Sequence, residues 1–141
     1  MLAPTKYLKR HDNLGKYVHA LLLYKYKITN EIPLWYLYNP PDVIENESMK
    51  VLWNFSIQTD LEIQHNRPDI TVIDKNSMCA YLIDIAVPND IHIATRRLDK
   101  IRNYTDLANE IKTLWGLRKV DIIPIVIGAT GMIYHGLNDD L

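Results

Sequence analysis

Between residues 12 and 26, apolar side chains recur every three or four positions at Leu14, Tyr17, Val18, Leu21 and Leu22, with Lys25 on the same line. This spacing predicts an amphipathic helix from about Asp12 to Tyr26, packed through one face and ended before Asn30 and Pro33. The following PLWYLYNPPDVIENES holds three of the seven prolines and several aromatics, and reads as an irregular connector packed by its own side chains. The pattern then changes to short runs rich in Val, Ile, Leu and aromatics between polar turns, predicting strands at about Lys50–Asp60, Asp69–Lys75 and Ala80–Val87. In IATRRLDKIRNYTDLANEIKTLW the helical period returns at Ala94, Leu98, Ile101, Ala108, Ile111 and Trp115. Asn89 or Asp90 can cap that helix and Gly116 stops it. VDIIPIVIGATG is apolar on both faces, as a strand covered on both sides must be.

The order is helix, three-strand meander, helix, strand. Short turns make the first three strands antiparallel, and the intervening helix permits a right-handed crossover to a parallel fourth. The fold class is therefore α/β, a mixed sheet flanked by a helix on each face. At 141 residues, 48% of them hydrophobic, the chain is expected to form a single domain over 1–141 with a sizeable core. No internal repeat is present. A lone cysteine, Cys79, excludes an internal disulfide framework, suits a reducing compartment, and leaves no zinc-type Cys/His spacing. The start lacks a secretory apolar region, and no apolar run reaches the ~18 residues of a membrane span. A soluble protein is expected.

Charge is uneven. Residues 1–30 carry six Lys or Arg against one acid, residues 31–90 three against ten, and residues 91–141 seven against six. Ordinary solvated charge accounts for such a pattern, and so does a cation-binding centre flanked by basic surface that meets phosphate.

Within the acidic stretch, NRPDITVIDKNSMCAYLIDIAVP places Asp69 and Asp84 in runs that otherwise resemble buried strands. If Asn76 and Ser77 form the turn, partner numbers sum to 153 and the two carboxylates stand opposite each other on one face; a symmetric four-residue loop gives the same sum. Solvated strand ends are the plain alternative. Two adjacent carboxylates repel unless one takes up a proton or a cation neutralises them. Mg²⁺ uses one or two carboxylates and keeps waters and substrate phosphate, so a phosphodiesterase site is one natural outcome. On repulsion alone, replacing either Asp is expected to leave the metal-free stability unchanged or slightly raised.

Pro68-Asp69, the later Asp84-Ile85-Ala86 and the element order resemble the PD-(D/E)XK nuclease superfamily. More closely, RHDN at Arg10 to Asn13, NRPDITVIDK, YLIDIAVPND, DKIRNYTDLANEI and PIVIGATG resemble the restriction-like endonuclease domain at the C-terminal end of site-specific non-LTR retrotransposon polyproteins, over about residues 7 to 131. The resemblance implies a nuclear, Mg²⁺- or Mn²⁺-dependent DNA endonuclease that nicks target DNA. A reverse transcriptase domain and element RNA would be its partners in a longer polyprotein, of which this chain would be a fragment or derivative. It implies Asp69, Asp84 and the Ile85 carbonyl as metal ligands, and Arg10, His11 and Arg67 as DNA contacts. Where the wider superfamily carries a strand lysine this chain has Ala86, and the resemblance puts Lys100 of the following helix in its place. Lys100 and Tyr104, four apart, share a helical face, which makes Tyr104 an accessory candidate.

Other residues carry plainer readings beside the functional ones. Asp60 and Glu62 could add an acid to the site, but suit a turn. His65 reads as solvated, His19 as part of the packed or exposed helix surface, and His11 as a helix-start residue as readily as a DNA or local capping contact. GATG lacks the lysine and spacing of a phosphate loop. Two other functions stay open: a domesticated, catalytically inactive DNA-binding module, and a protein-interaction domain using the aromatics from Trp35 to Tyr38.

Overall fold

The computed structural model describes residues 3–29, 39–86 and 93–126, with backbone only for 3–10, 93, 94, 96 and 97. The chain runs through helix α1 (Ala3–Lys25), strands β1 (Val43–Glu45), β2 (Met49–Trp53), β3 (Ile70–Asp74) and β4 (Cys79–Ala86), helix α2 (Ile93–Leu114) and strand β5 (Lys119–Val126). The five strands form one sheet in chain order, antiparallel except for the parallel β4–β5 pair. This is the mixed, helix-flanked α/β sheet expected from the pattern.

Strand parity divides the core. Val51, Ile70, Val72, Ile83, Ile85, Ile123 and Ile125 face one way and pack with Val18, Leu22 and Leu23 of α1. Leu82 and the partly buried Val120 and Ile122 face the other way, against Tyr104, Leu107, Ala108 and Ile111 of α2. Each helix thus buries the stripe that its three- and four-residue spacing creates. Both helices close in the same manner. Gly116 takes a φ of 62° while Leu117 N–H reaches Lys112 O, and Lys27 takes a φ of 58° while Ile28 N–H reaches Leu23 O. These left-handed residues turn the chain and satisfy carbonyls of the last helical turn.

Four boundaries differ from the sequence pattern. α1 begins at Ala3 rather than about Asp12, so His11 and Asp12 lie inside the helix and not at its start. Val43–Glu45, within the supposed irregular connector, pairs with β2 and makes the meander four-stranded. The strand expected over 50–60 ends at Trp53, because Asn54 turns the chain out of the sheet at a φ of 49°; Asn tolerates that region better than most side chains. The β3–β4 turn uses four residues, Lys75 to Met78, rather than two, with Asp74 accepting from Asn76 N–H, Ser77 N–H and Ser77 Oγ–H. The possible caps Asn89 and Asp90, the GATG segment and the aromatics from Trp35 to Tyr38 lie outside the described residues. Among those described, no helix is long and apolar enough to cross a membrane.

His19 lies on the packed side of α1. It is wholly buried in α1, its ring edge-to-face with Trp53 at 5.5 Å, and burial pushes its pKa down to about 4. The unfolded chain therefore binds a proton that the folded chain refuses. The stability this residue contributes is full above about pH 6.5 and is lost as pH falls toward 4. Between pH 7.5 and 5 the loss should reach about 2 kcal/mol. Thermal melts of wild type and His19→Gln across this range check it, since the variant should lose less.

Candidate active site

The antiparallel register sets the site. Ile70 pairs with Ile83 and Asp74 with Cys79, so partner numbers sum to 153. Asp69 stands one residue before the first pair of β3, where continuing the register would set it opposite Asp84. Asp84 meets Lys100 and Tyr104 of α2, while Asp69 is reached by His11 of α1. The four-residue turn preserves the sum that the two-residue turn would give.

Each carboxylate is held differently. Asp69, at the mouth of β3, accepts two donors on one oxygen: Ile85 N–H at 2.7 Å and His11 Nε2 at 3.1 Å, both on Oδ2. Burial opposes its ionisation, but the hydrogen bond and charge of His11 and the Ile85 N–H prevail, and its carboxyl sits below the ordinary range. Asp84 lies deeper, 4% exposed, with Lys100 Nζ 2.7 Å from Oδ2. That approach is a charge contact out of hydrogen-bond line, and Oδ2 has no aligned donor among the described residues. Burial first, and the neighbouring Asp69 second, push the Asp84 pKa up to about 6 against the pull of Lys100. The pair therefore holds one firm negative charge and one that is easily protonated.

Tyr104 completes the wall. Its hydroxyl lies 3.3 Å from both Asp84 Oδ1 and Arg67 O, so one proton serves two acceptors. Burial and the two carboxylates raise its pKa, which keeps it a donor. α2 thus supplies Lys100 and Tyr104 to Asp84, one turn apart as their spacing predicted, while α1 supplies His11 to Asp69.

The loop of residues 54–69 returns to its own origin before β3. Asn54 N–H donates to Asp69 O at 2.8 Å, Ile57 N–H to Asn66 O at 2.8 Å, and Arg67 Nε to Asn54 O at 3.0 Å. Arg67 is exposed and ties the loop ends together. His65 is exposed but stands edge-to-face with Tyr104 at 6.2 Å. Asp60 and Glu62 are exposed on the same loop, and no contact joins them to the carboxylates. The side chain of Arg10 lies outside the described residues. Lys75 donates to Asn46 O and pairs with Glu45 at the β1–β2 turn, away from the site. A groove of about 440 Å³ opens between Val43, Leu52, Phe55, Ile57, Trp115 and Leu117, and neither carboxylate lines it. The carboxylates lie instead where β3 begins and β4 nears its end, with Asp84 buried and Asp69 mostly so.

Gly15 was not singled out by the pattern. A Cβ there would stand 3.0 Å from the Trp53 ring and 3.5 Å from Ile85 Cδ1, so its absence lets α1 lie close to β2 and β4. His11, one helical turn earlier, can then reach Asp69. A lone glycine inside a helical pattern was the available signal.

No protein-family model, no curated protein and no solved structure matches this chain.

Proposed function

We propose that this chain is a metal-dependent DNA endonuclease of the PD-(D/E)XK type, resembling the target-nicking domain of site-specific non-LTR retrotransposons. The observation that carries the reading is the meeting of Asp69 and Asp84 at one strand end with Lys100 Nζ 2.7 Å from Asp84. An ordinary structural ion pair would need only one of these carboxylates.

The donor set fits a hard divalent cation. Burial first and the adjacent Asp69 second raise the Asp84 pKa to about 6, and a cation beside the pair would offset both. Among the described residues no group of three or more His, Cys, Asp or Glu that could hold a metal ion is found; Mg²⁺ or Mn²⁺ would need only the two carboxylates, with water and substrate phosphate completing the shell. Asp69, Asp84 and the Ile85 carbonyl would hold the ion; in an antiparallel pair a residue sends its N–H and C=O to the same neighbour, so that carbonyl looks the same way as the N–H given to Asp69.

When bound, the ion supplies an activated water and offsets charge on the phosphoryl oxygens. Lys100 places a positive charge beside the reacting phosphate and stabilises the negative charge that builds there. Tyr104 fixes the Asp84 carboxylate. A substrate gripped through its phosphate backbone would meet the ion and Lys100 through its phosphate oxygens. DNA is the substrate of this reading, the nucleus its place, and a reverse transcriptase domain with element RNA its setting in a longer polyprotein.

The test is relaxation of supercoiled plasmid with and without Mg²⁺ or Mn²⁺. Nicking that requires the ion is the expected result. Salt-sensitive DNA binding without nicking would favour an inactive DNA-binding module, and absence of both would favour a protein-interaction domain.

A further inference from the structure

We propose that His11 is a positioning residue that makes Asp69 a one-oxygen ligand and so biases the site against Ca²⁺. The inference rests on the metal-dependent reading above and concerns how the first carboxylate is presented.

A carboxylate oxygen offers about two lone-pair positions. Oδ2 of Asp69 has both engaged, by Ile85 N–H at 2.7 Å and His11 Nε2 at 3.1 Å. The oxygen left for a cation is Oδ1. The other ring nitrogen, Nδ1, faces Asp12 Oδ1 at 3.5 Å, and the contact to Asp69 is a hydrogen bond in the forms of the ring that carry hydrogen on Nε2. The ring is 22% exposed on its side chain, and α1 is held close to the sheet by Gly15. The donor therefore sits on a packed helix, and not on a loop.

Two-oxygen binding by a carboxylate suits Ca²⁺, which takes six to eight ligands at longer distances, whereas Mg²⁺ and Mn²⁺ are served by single oxygens in octahedral sites. Removing the His11 donor frees a lone pair on Oδ2 and lets Asp69 bind through both oxygens. Hydrogen bonds behind a ligand change metal affinity by about 10–100-fold. Loss of a nearby positive charge also changes affinity, but by the same factor for two ions of equal charge. The ratio of Ca²⁺ to Mn²⁺ affinity therefore isolates the geometry.

The experiment is Mn²⁺ binding followed by electron paramagnetic resonance, with Ca²⁺ as competitor and no DNA present. His11→Ala should shift the ratio toward Ca²⁺ by about tenfold. His11→Gln, which keeps an N–H near the place of Nε2, should hold the wild-type ratio. If the alanine variant melts too low to assay, His11→Leu fills the space without a donor and carries the same expectation. An unchanged ratio in the variants lacking a donor overturns the proposal while leaving the metal site standing, as does an equal shift in His11→Gln. Wild type that binds neither ion overturns the metal-dependent reading, and this proposal with it.

Discussion

Asp84→Asn is expected to abolish nicking while making the metal-free domain more stable at pH 8, and Asp69→Asn is expected to abolish nicking while making it less stable. Repulsion alone treats the two carboxylates alike; their partners separate them. Asp84 has a folded-state pKa of about 6, above its unfolded value. Its favourable contribution is complete below about pH 3.8 and lost as pH rises through 6. At pH 8 the buried, ionised group therefore opposes folding, and the neutral amide should raise stability by on the order of 1–3 kcal/mol. Asp69 is shifted the other way by His11 and the Ile85 N–H. Its contribution is present above the unfolded pKa and lost as pH falls through the lowered one. Its replacement removes that contribution and leaves His11 without its carboxylate. Denaturant melts beside the plasmid assay check both halves, and equal stability changes of one sign would contradict the assigned hydrogen bonds.

Lys100→Ala should slow nicking by about 10²–10³-fold, the scale for losing one electrostatic stabiliser of a transition state. With Ala86 on the strand, the described cation that reaches the carboxylates from α2 is Lys100, 2.7 Å from Asp84. Lys75→Ala should change turnover little, because Lys75 is spent on Glu45 and Asn46 O at the opposite end of the sheet. It should instead loosen the β1–β2 turn. Single-turnover rates for the two variants separate these roles, and a slow Lys75→Ala beside a normal Lys100→Ala would reverse the assignment.

The sequence made the carboxylate pair legible because its placement depends on parity. A period of two fixes which residues share a face, and both plausible turn lengths give the 153 sum that brings Asp69 opposite Asp84. Lys100 entered through the resemblance to the retrotransposon domains, and Tyr104 followed because four residues further along a helix lies on the same face. What stayed hidden depends on contacts distant in sequence. β1 is three residues that pair only because β2 offers an edge, and the prolines and aromatics of the segment around it argued for an irregular connector. Asn54 ends a strand whose apolar pattern continues through Phe55 and Ile57, so composition could not mark the exit. His11 was misplaced at a helix start because Asp12 and Asn13 suit a cap, whereas its partner is 58 residues away.

The loop that delivers Asp69 has one more consequence. Its ends are pinned to each other, Asn54 N–H to Asp69 O and Arg67 Nε to Asn54 O, and Tyr104 holds Arg67 O from α2. The position of the carboxylate is thus fixed at the base of the loop, where Ile63 also packs toward Tyr104, and the exposed tip from Asp60 to Glu62 carries none of it. Each doubling of a flexible loop's length costs only about 0.6 kcal/mol of closure entropy. Length and composition at the tip are therefore decoupled from the root, and the tip can be exchanged or extended while the carboxylate pair stays in register.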